Sequence, residues 1–287
     1  MSFEARILDG RNVTDMKIDF TKAVASGNDF VILDNRSDVL GRGINDFGEF
    51  AKFVSKRKYS VGADGLLLLE DSDSADFKMR IFNPDGSEVT MCGNGSRCSA
   101  LYAFSGAWCG PSMKIETGAG ILEAHVEGDS VRVKMTPPKN ISLNRAIGVG
   151  KTMMTVHAAD TGVPHVVHFV EDIEEYPVKE MGARIRYHKL FEPDGTNADF
   201  VEPVDKSAVS VRTYERGVED ETFACGTGAV ASAIISHLVN GTESPTNVIT
   251  KNREILKIYF KKDHNAFRDV YLEGKARITF QGGIDYV

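Results

Sequence analysis

Four landmarks recur in the same order, at nearly one offset, in the two halves of this 287-residue chain. Cys92-Gly93-Asn94-Gly95 and Cys225-Gly226-Thr227-Gly228 lie 133 residues apart, as do Gly62-Ala63-Asp64 and Gly195-Thr196-Asn197. Phe82-Asn83 and Glu215-Arg216 keep that spacing just upstream of the cysteines. Ser26-Gly27-Asn28-Asp29-Phe30-Val31 and Thr161-Gly162-Val163-Pro164-His165-Val166 are 135 apart. One Gly-rich strand-to-helix turn can recur for geometric reasons alone. Four landmarks in register point to a duplicated unit of ~130 residues, an ordinary domain size. A pseudo-twofold between the copies is expected to bring two helix N-termini face to face across a cleft, a favoured place for a ligand.

The hydrophobic pattern fills in each copy. Residues 17–24, 29–34, 66–70 and 77–82 read as strands and 47–59 as a helix. Asn83-Pro84-Asp85-Gly86-Ser87 is a turn by its chemistry. A helix over 95–104 follows, then a meander over 113–117, 121–127 and 130–135. The second copy repeats the order, with its first helix at 179–188. Over 228–239, Ala229, Val230, Ala231, Ala233, Ile234, Ile235 and Leu238 cover nearly the whole circumference of a helix, and a helix apolar all round is buried. Strands wrapped round one central helix per copy satisfy that pattern. The expected fold class is α+β: two pseudo-symmetric domains, each a mixed sheet around a central helix. The domains are 16–133, completed by a last strand in 276–287, and 134–275, with Thr136-Pro137-Pro138 at the junction. Residues 1–15 read as an extension ahead of a natural start at Met16.

Composition excludes several classes of function. A net charge of -7 argues against nucleic acid or an anionic membrane as partner. No apolar run is long enough to span a bilayer, and residues 1–15 lack a signal-peptide core. A cytoplasmic location is expected. Four cysteines are too few for a disulfide scaffold and suit a reducing compartment. No Cys-x-x-Cys or histidine cluster suggests a metal. Neither Gly loop continues into a dinucleotide fingerprint or a P-loop, and there is no Gly-x-Ser-x-Gly elbow.

The chemistry gathers at the repeated cysteines. A free cysteine is more often a small core hydrophobe than a catalyst. Here each precedes Gly-x-Gly at the start of a helix, where unpaired N–H groups and the helix dipole stabilise a thiolate. Cys92 and Cys225 are therefore candidate catalytic thiols with lowered pKa, whereas Cys98 and Cys109 read as structural. Two thiols facing one carbon suit stereoinversion, in which one face loses a proton and the other gains one. His165 stands out by occupying the slot of Phe30. Glu215 and Arg216 form either a solvated salt bridge or a working pair, with Glu215 biasing a thiol and Arg216 holding a carboxylate. Asn28, Asn83 and Asn197 mark repeat-related turns.

With Gly27-Asn28-Asp29-Phe30, Gly62-Ala63-Asp64-Gly65, Asn83-Pro84-Asp85-Gly86-Ser87-Glu88, Met91-Cys92-Gly93-Asn94-Gly95-Ser96-Arg97-Cys98, Glu215-Arg216-Gly217 and Ala224-Cys225-Gly226-Thr227-Gly228-Ala229 assembled, the chain resembles the diaminopimelate epimerases. The resemblance implies barrel-like domains and a cofactor-independent epimerase acting on diaminopimelate in lysine and peptidoglycan precursor synthesis. It implies that Asn28, Asn83, Gly93, Asn94, Asn197, Glu215, Arg216, Gly226 and Thr227 line the substrate site and that His165 and Glu215 tune the thiols. Members are often homodimers. Many carry Asn where this chain has Val163, which cannot donate the same hydrogen bonds. The related proline racemases carry His at the place of Asn94 and fit less well. The rival readings are a proline or hydroxyproline epimerase, and a two-domain clamp that binds a small zwitterion without chemistry.

Overall fold

The computed structural model describes residues 4–8, 11–38, 40, 43–150, 152–264 and 266–286, with side chains from residue 17 onward. Of the expected 1–15 extension, residues 1–3, 9 and 10 lie outside the described residues; Glu4–Leu8 and Arg11–Ala25 are strands paired antiparallel, so the first strand begins well ahead of residue 17. The chain divides into two compact units, Met1–Val131 with Ala276–Val287, and Arg132–Lys275. The architecture is α+β, a mixed sheet with few helices in each unit. No helix among the described residues is long and apolar enough to cross a membrane.

The units share one strand plan. In the first, Arg11–Ala25 pairs antiparallel with both Arg277–Tyr286 and Asn28–Asp34. The second of these pairings turns at Ser26-Gly27, where φ of 50° and 87° gives the left-handed backbone of a tight hairpin. Asn28–Asp34 then runs parallel to Gly65–Glu70 after a crossover through helix α1 (Phe47–Val54). Gly65–Glu70 pairs antiparallel with Phe77–Phe82, and a second crossover through helix α2 (Gly93–Ser105) leads to the parallel strand Ser112–Thr117. In the second unit Thr152–Asp160, Pro164–Phe169, Asn197–Pro203, Ala208–Glu215 and Thr246–Ile249 repeat this order, with crossovers through α3 (Val178–Arg186) and α4 (Gly226–Asn240).

Register refines the repeat. Leu66 lies opposite Phe82, and Ala198 opposite Tyr214. The strand offset is therefore 132 rather than the 133 of the cysteine loops. By register, Leu67 corresponds to Asp199 and Asn83 to Glu215.

Helices α2 and α4 are the central rods. Strands of its own unit pack against α4 from Thr152–Asp160 round to Ile255–Asp263. Every residue from Gly228 to Ser236 is buried, as its apolar circumference predicts. Gly241, with φ of 71°, ends it in the left-handed conformation that closes many helices. Helix α2 is equally enclosed but carries Ser96, Arg97 and Ser99 in its buried turns. The two serines bond back to Cys92 O and to Met79 Sδ. Helix α1 stops at Val54, well short of residue 59. The N–H groups of Gly62 and Ala63 bond the Val54 and Ser55 carbonyls, so tertiary backbone contacts take the acceptors another turn would need.

Candidate functional site

Each of the two cysteines is the N-cap of its unit's central helix. Cys92 has φ -146° and ψ 118°, and its Sγ accepts from the Gly95 N–H at 3.5 Å. Cys225 has φ -114° and ψ 117°, and its Sγ accepts from the Gly228 N–H at 3.4 Å. Sulfur thus takes the place of the usual Ser or Asp oxygen at a cap. The first intrahelical bonds run from Ser96 N to Cys92 O and from Ala229 N to Cys225 O. The N–H groups of Gly93, Asn94, Gly226 and Thr227 precede them, in the turn where helices bind anions.

In the first unit a directional chain of hydrogen bonds places two of the predicted asparagines. Arg97, wholly buried, donates through Nη2 to Ser26 Oγ and to Asn94 Oδ1, both at 2.8 Å. Asn94 Nδ2 donates to Asn28 Oδ1 at 2.5 Å, and Asn28 Nδ2 donates to Asp64 Oδ2 at 3.4 Å. A guanidinium only donates, so it fixes the orientation of both amides. Each amide nitrogen has a second N–H beyond the one used in this line. Behind them Arg57 bridges Asp29 and Asp64, and Lys22 pairs with Asp29 at 2.9 Å. Burial alone would raise the Asp29 carboxyl, but hydrogen bonds from Arg57 and Lys22, with the Lys22 charge, bring it down to about 2. Asn83 stands apart from this chain, bonding Ser87 Oγ at 3.0 Å within its own turn. At Gly93 an added Cβ would meet no atom within 4 Å.

The second unit joins more of the predicted residues. His165 Nδ1 lies 2.7 Å from Asp199 Oδ2, and its Nε2 lies 2.9 Å from Thr227 Oγ1. Thr227 Oγ1 is 3.3 Å from Cys225 Sγ. Asn197 donates to Pro164 O at 3.0 Å and accepts from the Arg216 N–H at 2.8 Å, so it pins the strand ends beside His165. The Arg216 guanidinium bonds Asp194 O at 3.2 Å. Enclosure pushes the Glu215 carboxyl above the usual carboxylate range.

One electrostatic expectation is corrected. Cys225 does not have a lowered pKa: burial, then the negative charges of Glu215 and Asp199, push its thiol well above the ordinary value. The Thr227 hydroxyl and the Gly228 N–H pull the other way and are outweighed. Burial raises the Cys98 thiol to about 12, as suits an inert core cysteine, and also raises Cys109.

Asp199 and Thr213 were missed by sequence reasoning. Thr213 Oγ1 donates to Asp199 Oδ1 at 2.7 Å, and the Asp199 side chain is fully buried. The signal was alternation: Asn197 and Asp199 share one face of their strand. A lone acid in a strand recognised by its apolar residues carries no such signal by itself. Arg97 was missed for a similar reason, as a charge inside a helix read only for its apolar positions.

The sequence model of the diaminopimelate epimerase family matches residues 20–141 and 157–279. The chain belongs to the diaminopimelate epimerase family. It is 42% identical over 274 residues to the diaminopimelate epimerase of Aquifex aeolicus, covering 92% of this chain and 97% of that protein. It is 39% identical over 282 residues to the diaminopimelate epimerase of Archaeoglobus fulgidus, covering 93% and 96%. Among solved structures, a PhzF-family phenazine biosynthesis protein of Bacillus anthracis superposes with a TM-score of 0.71 at 17% identity, over 94% of this chain and 99% of that one. A probable proline racemase from Agrobacterium radiobacter gives 0.67 at 13%, over 93% and 92%. These last two likenesses show the fold alone. Family membership covers both cysteine-capped helices and every residue of the two hydrogen-bond chains.

Proposed function

We propose that this chain is an epimerase that interconverts L,L- and meso-diaminopimelate without a cofactor, by a two-base mechanism in which Cys92 and Cys225 act on opposite faces of one α-carbon. The observation that carries the reading is the duplicated cap: in each unit a thiol sits at the N-terminus of a buried helix, bonded by the N–H three residues on. One thiolate removes the α-proton and the other thiol returns a proton to the far face. The first-turn N–H groups of α2 and α4 stabilise the negative charge that spreads onto the α-carboxylate. The raised thiol of Cys225 supports its role as proton donor in the resting protein. Asn28 and Asn94 supply amide donors, while Asn83, Gly93, Asn197, Arg216, Gly226 and Thr227 complete the substrate contacts. His165 and Glu215 govern thiol protonation. The setting is lysine and peptidoglycan precursor synthesis in the cytoplasm, by a homodimer whose protomer holds one catalytic domain per cysteine.

Incubating purified protein with L,L-diaminopimelate in D2O is expected to form the meso isomer with deuterium at one α-carbon. Cys92→Ala and Cys225→Ala should each abolish net epimerisation. Near-normal turnover by either variant refutes the two-base scheme. Binding with the α-proton retained would make the protein a clamp, and turnover of proline or hydroxyproline instead would move it to another substrate class.

A further inference from the structure

We propose that Asp199 is a positioning residue that sets which ring nitrogen of His165 carries the proton and, through the Thr227 hydroxyl, which way the hydrogen bond to Cys225 runs. The role in turnover rests on the epimerase reading above; the proton arrangement does not.

Donors and acceptors balance along one buried line. An ionised carboxylate only accepts. Asp199 Oδ1 takes the Thr213 hydroxyl at 2.7 Å, and Oδ2 faces His165 Nδ1 at 2.7 Å. Both side chains of the Asp199–His165 pair are fully buried, so the contact excludes water. A contact that short between acceptor and ring nitrogen needs a proton, and only Nδ1 can carry it. In the neutral ring Nε2 is then an acceptor, which takes the single O–H of Thr227 at 2.9 Å. The remaining lone pairs of Thr227 Oγ1 face Cys225 Sγ at 3.3 Å, so the sulfur supplies the hydrogen of that contact. The line Thr213, Asp199, His165, Thr227, Cys225 is thus self-consistent with a neutral imidazole and a protonated thiol.

Loss of the thiol proton to a substrate carbon reverses part of this line. The new thiolate needs a donor, and the nearest side-chain one is the Thr227 O–H, which must swing from Nε2 to Sγ. His165 keeps its Nδ1 proton, held by Asp199, so Nε2 stays an acceptor, with the Asn197 amide at 3.5 Å as its one remaining side-chain donor among the described residues. A proton that later reaches Nε2 from solvent or product restores the donor to Thr227 and is balanced by the Asp199 carboxylate. Asp199 therefore keeps the proton of His165 on the side away from the sulfur while the hydroxyl between them changes direction. Gly228 underlines how closely the carboxylate is seated. An added Cβ there would lie 2.5 Å from Asp199 Oδ1.

The test reads the ring directly. In wild-type protein labelled with 15N-histidine, long-range proton–nitrogen spectra, with His165 assigned by its loss in His165→Gln, are expected to show one neutral tautomer protonated at Nδ1. In Asp199→Asn the amide can present either its oxygen or its NH2 to the ring, and His165 is expected to become a mixture or to shift to the Nε2–H form. The same variant should lose about tenfold or more in kcat with KM within about threefold, since a wrong tautomer is a known way to disable a His-dependent site. A wild-type His165 protonated at Nε2 overturns the proposal, and that measurement stands even if the variant fails to fold. So does an Asp199→Asn protein with the tautomer and kcat of wild type. If wild-type protein shows the Nδ1–H ring but does not epimerise diaminopimelate, the functional reading fails and the positioning role of Asp199 stands.

Discussion

Gly228→Ala is the substitution whose consequence the structure fixes most tightly. A Cβ at this position would sit 2.5 Å from Asp199 Oδ1, 3.2 Å from Thr213 Oγ1 and 3.3 Å from Asp199 Cγ. Ordinary contact needs about 3.4–4.0 Å, so something must move by about 1 Å. The carboxylate has little room, being held from both sides at 2.7 Å. The helix has little room either, because its residues from Gly228 to Ser236 are buried against strands. Overpacking of this kind costs about 1–3 kcal/mol, and loosening a buried charge-assisted hydrogen bond adds about 1–3 kcal/mol. Alanine is the better helix former by up to about 1 kcal/mol, which offsets part of it. The net expectation is a loss of about 2–3 kcal/mol, together with lower kcat as Asp199 is displaced from His165. Urea unfolding followed by tryptophan fluorescence and far-UV dichroism measures the first, and the epimerase assay the second. At an m-value of about 2 kcal/mol/M the midpoint should fall by about 1 M or more. Gly226→Ala is the control, since its Cβ would meet only Leu272 Cδ1, at 3.3 Å, and a side-chain tip can yield. Its stability should stay within about 0.5 kcal/mol of wild type. If Gly228→Ala is as stable as that control and keeps kcat within about twofold, the account of Asp199 as a tightly seated carboxylate is wrong.

The first unit offers two more tests. Gly93→Ala adds a methyl group where no protein atom lies within 4 Å, so stability should hold or rise by up to about 1 kcal/mol, while kcat/KM falls if substrate lies against that backbone; a drop in stability instead would mean the glycine serves the fold. Asp29 has a carboxyl at about 2, below its usual 3.8, so the stability it contributes is present in full above about pH 4 and is lost as pH falls towards 2. Thermal midpoints of wild type should therefore drop more steeply over that window than those of Asp29→Asn, and parallel curves would contradict the Lys22–Asp29–Arg57 arrangement as a source of stability.

What could be read from the sequence was local or periodic. The Cys-Gly-x-Gly loops announced helix caps because a polar side chain before small residues is what an N-cap requires. Helix α4 announced its burial because its apolar residues leave no polar face. What could not be read depends on partners remote in sequence. The end of α1 is set by N–H groups at Gly62 and Ala63, and the burial of Arg97 depends on Ser26. The Cys225 thiol shows the difference most sharply. Helix-terminus logic alone predicts a lowered pKa, and it is overruled first by burial and then by Glu215 and Asp199, which adjacent strands deliver. The strand register then explains how a duplicated scaffold can carry two unlike cysteines. Phe30, Leu67 and Asn83 of the first unit stand where the second has His165, Asp199 and Glu215. Gly95 abuts Leu67 as Gly228 abuts Asp199, so the correspondence holds in packing as well as in pairing. Three neutral side chains are matched by three ionisable ones around a cap of the same geometry. The helix caps therefore supply what the cysteines share, and the strands beneath α4 supply the carboxylates that add to burial in raising the Cys225 thiol.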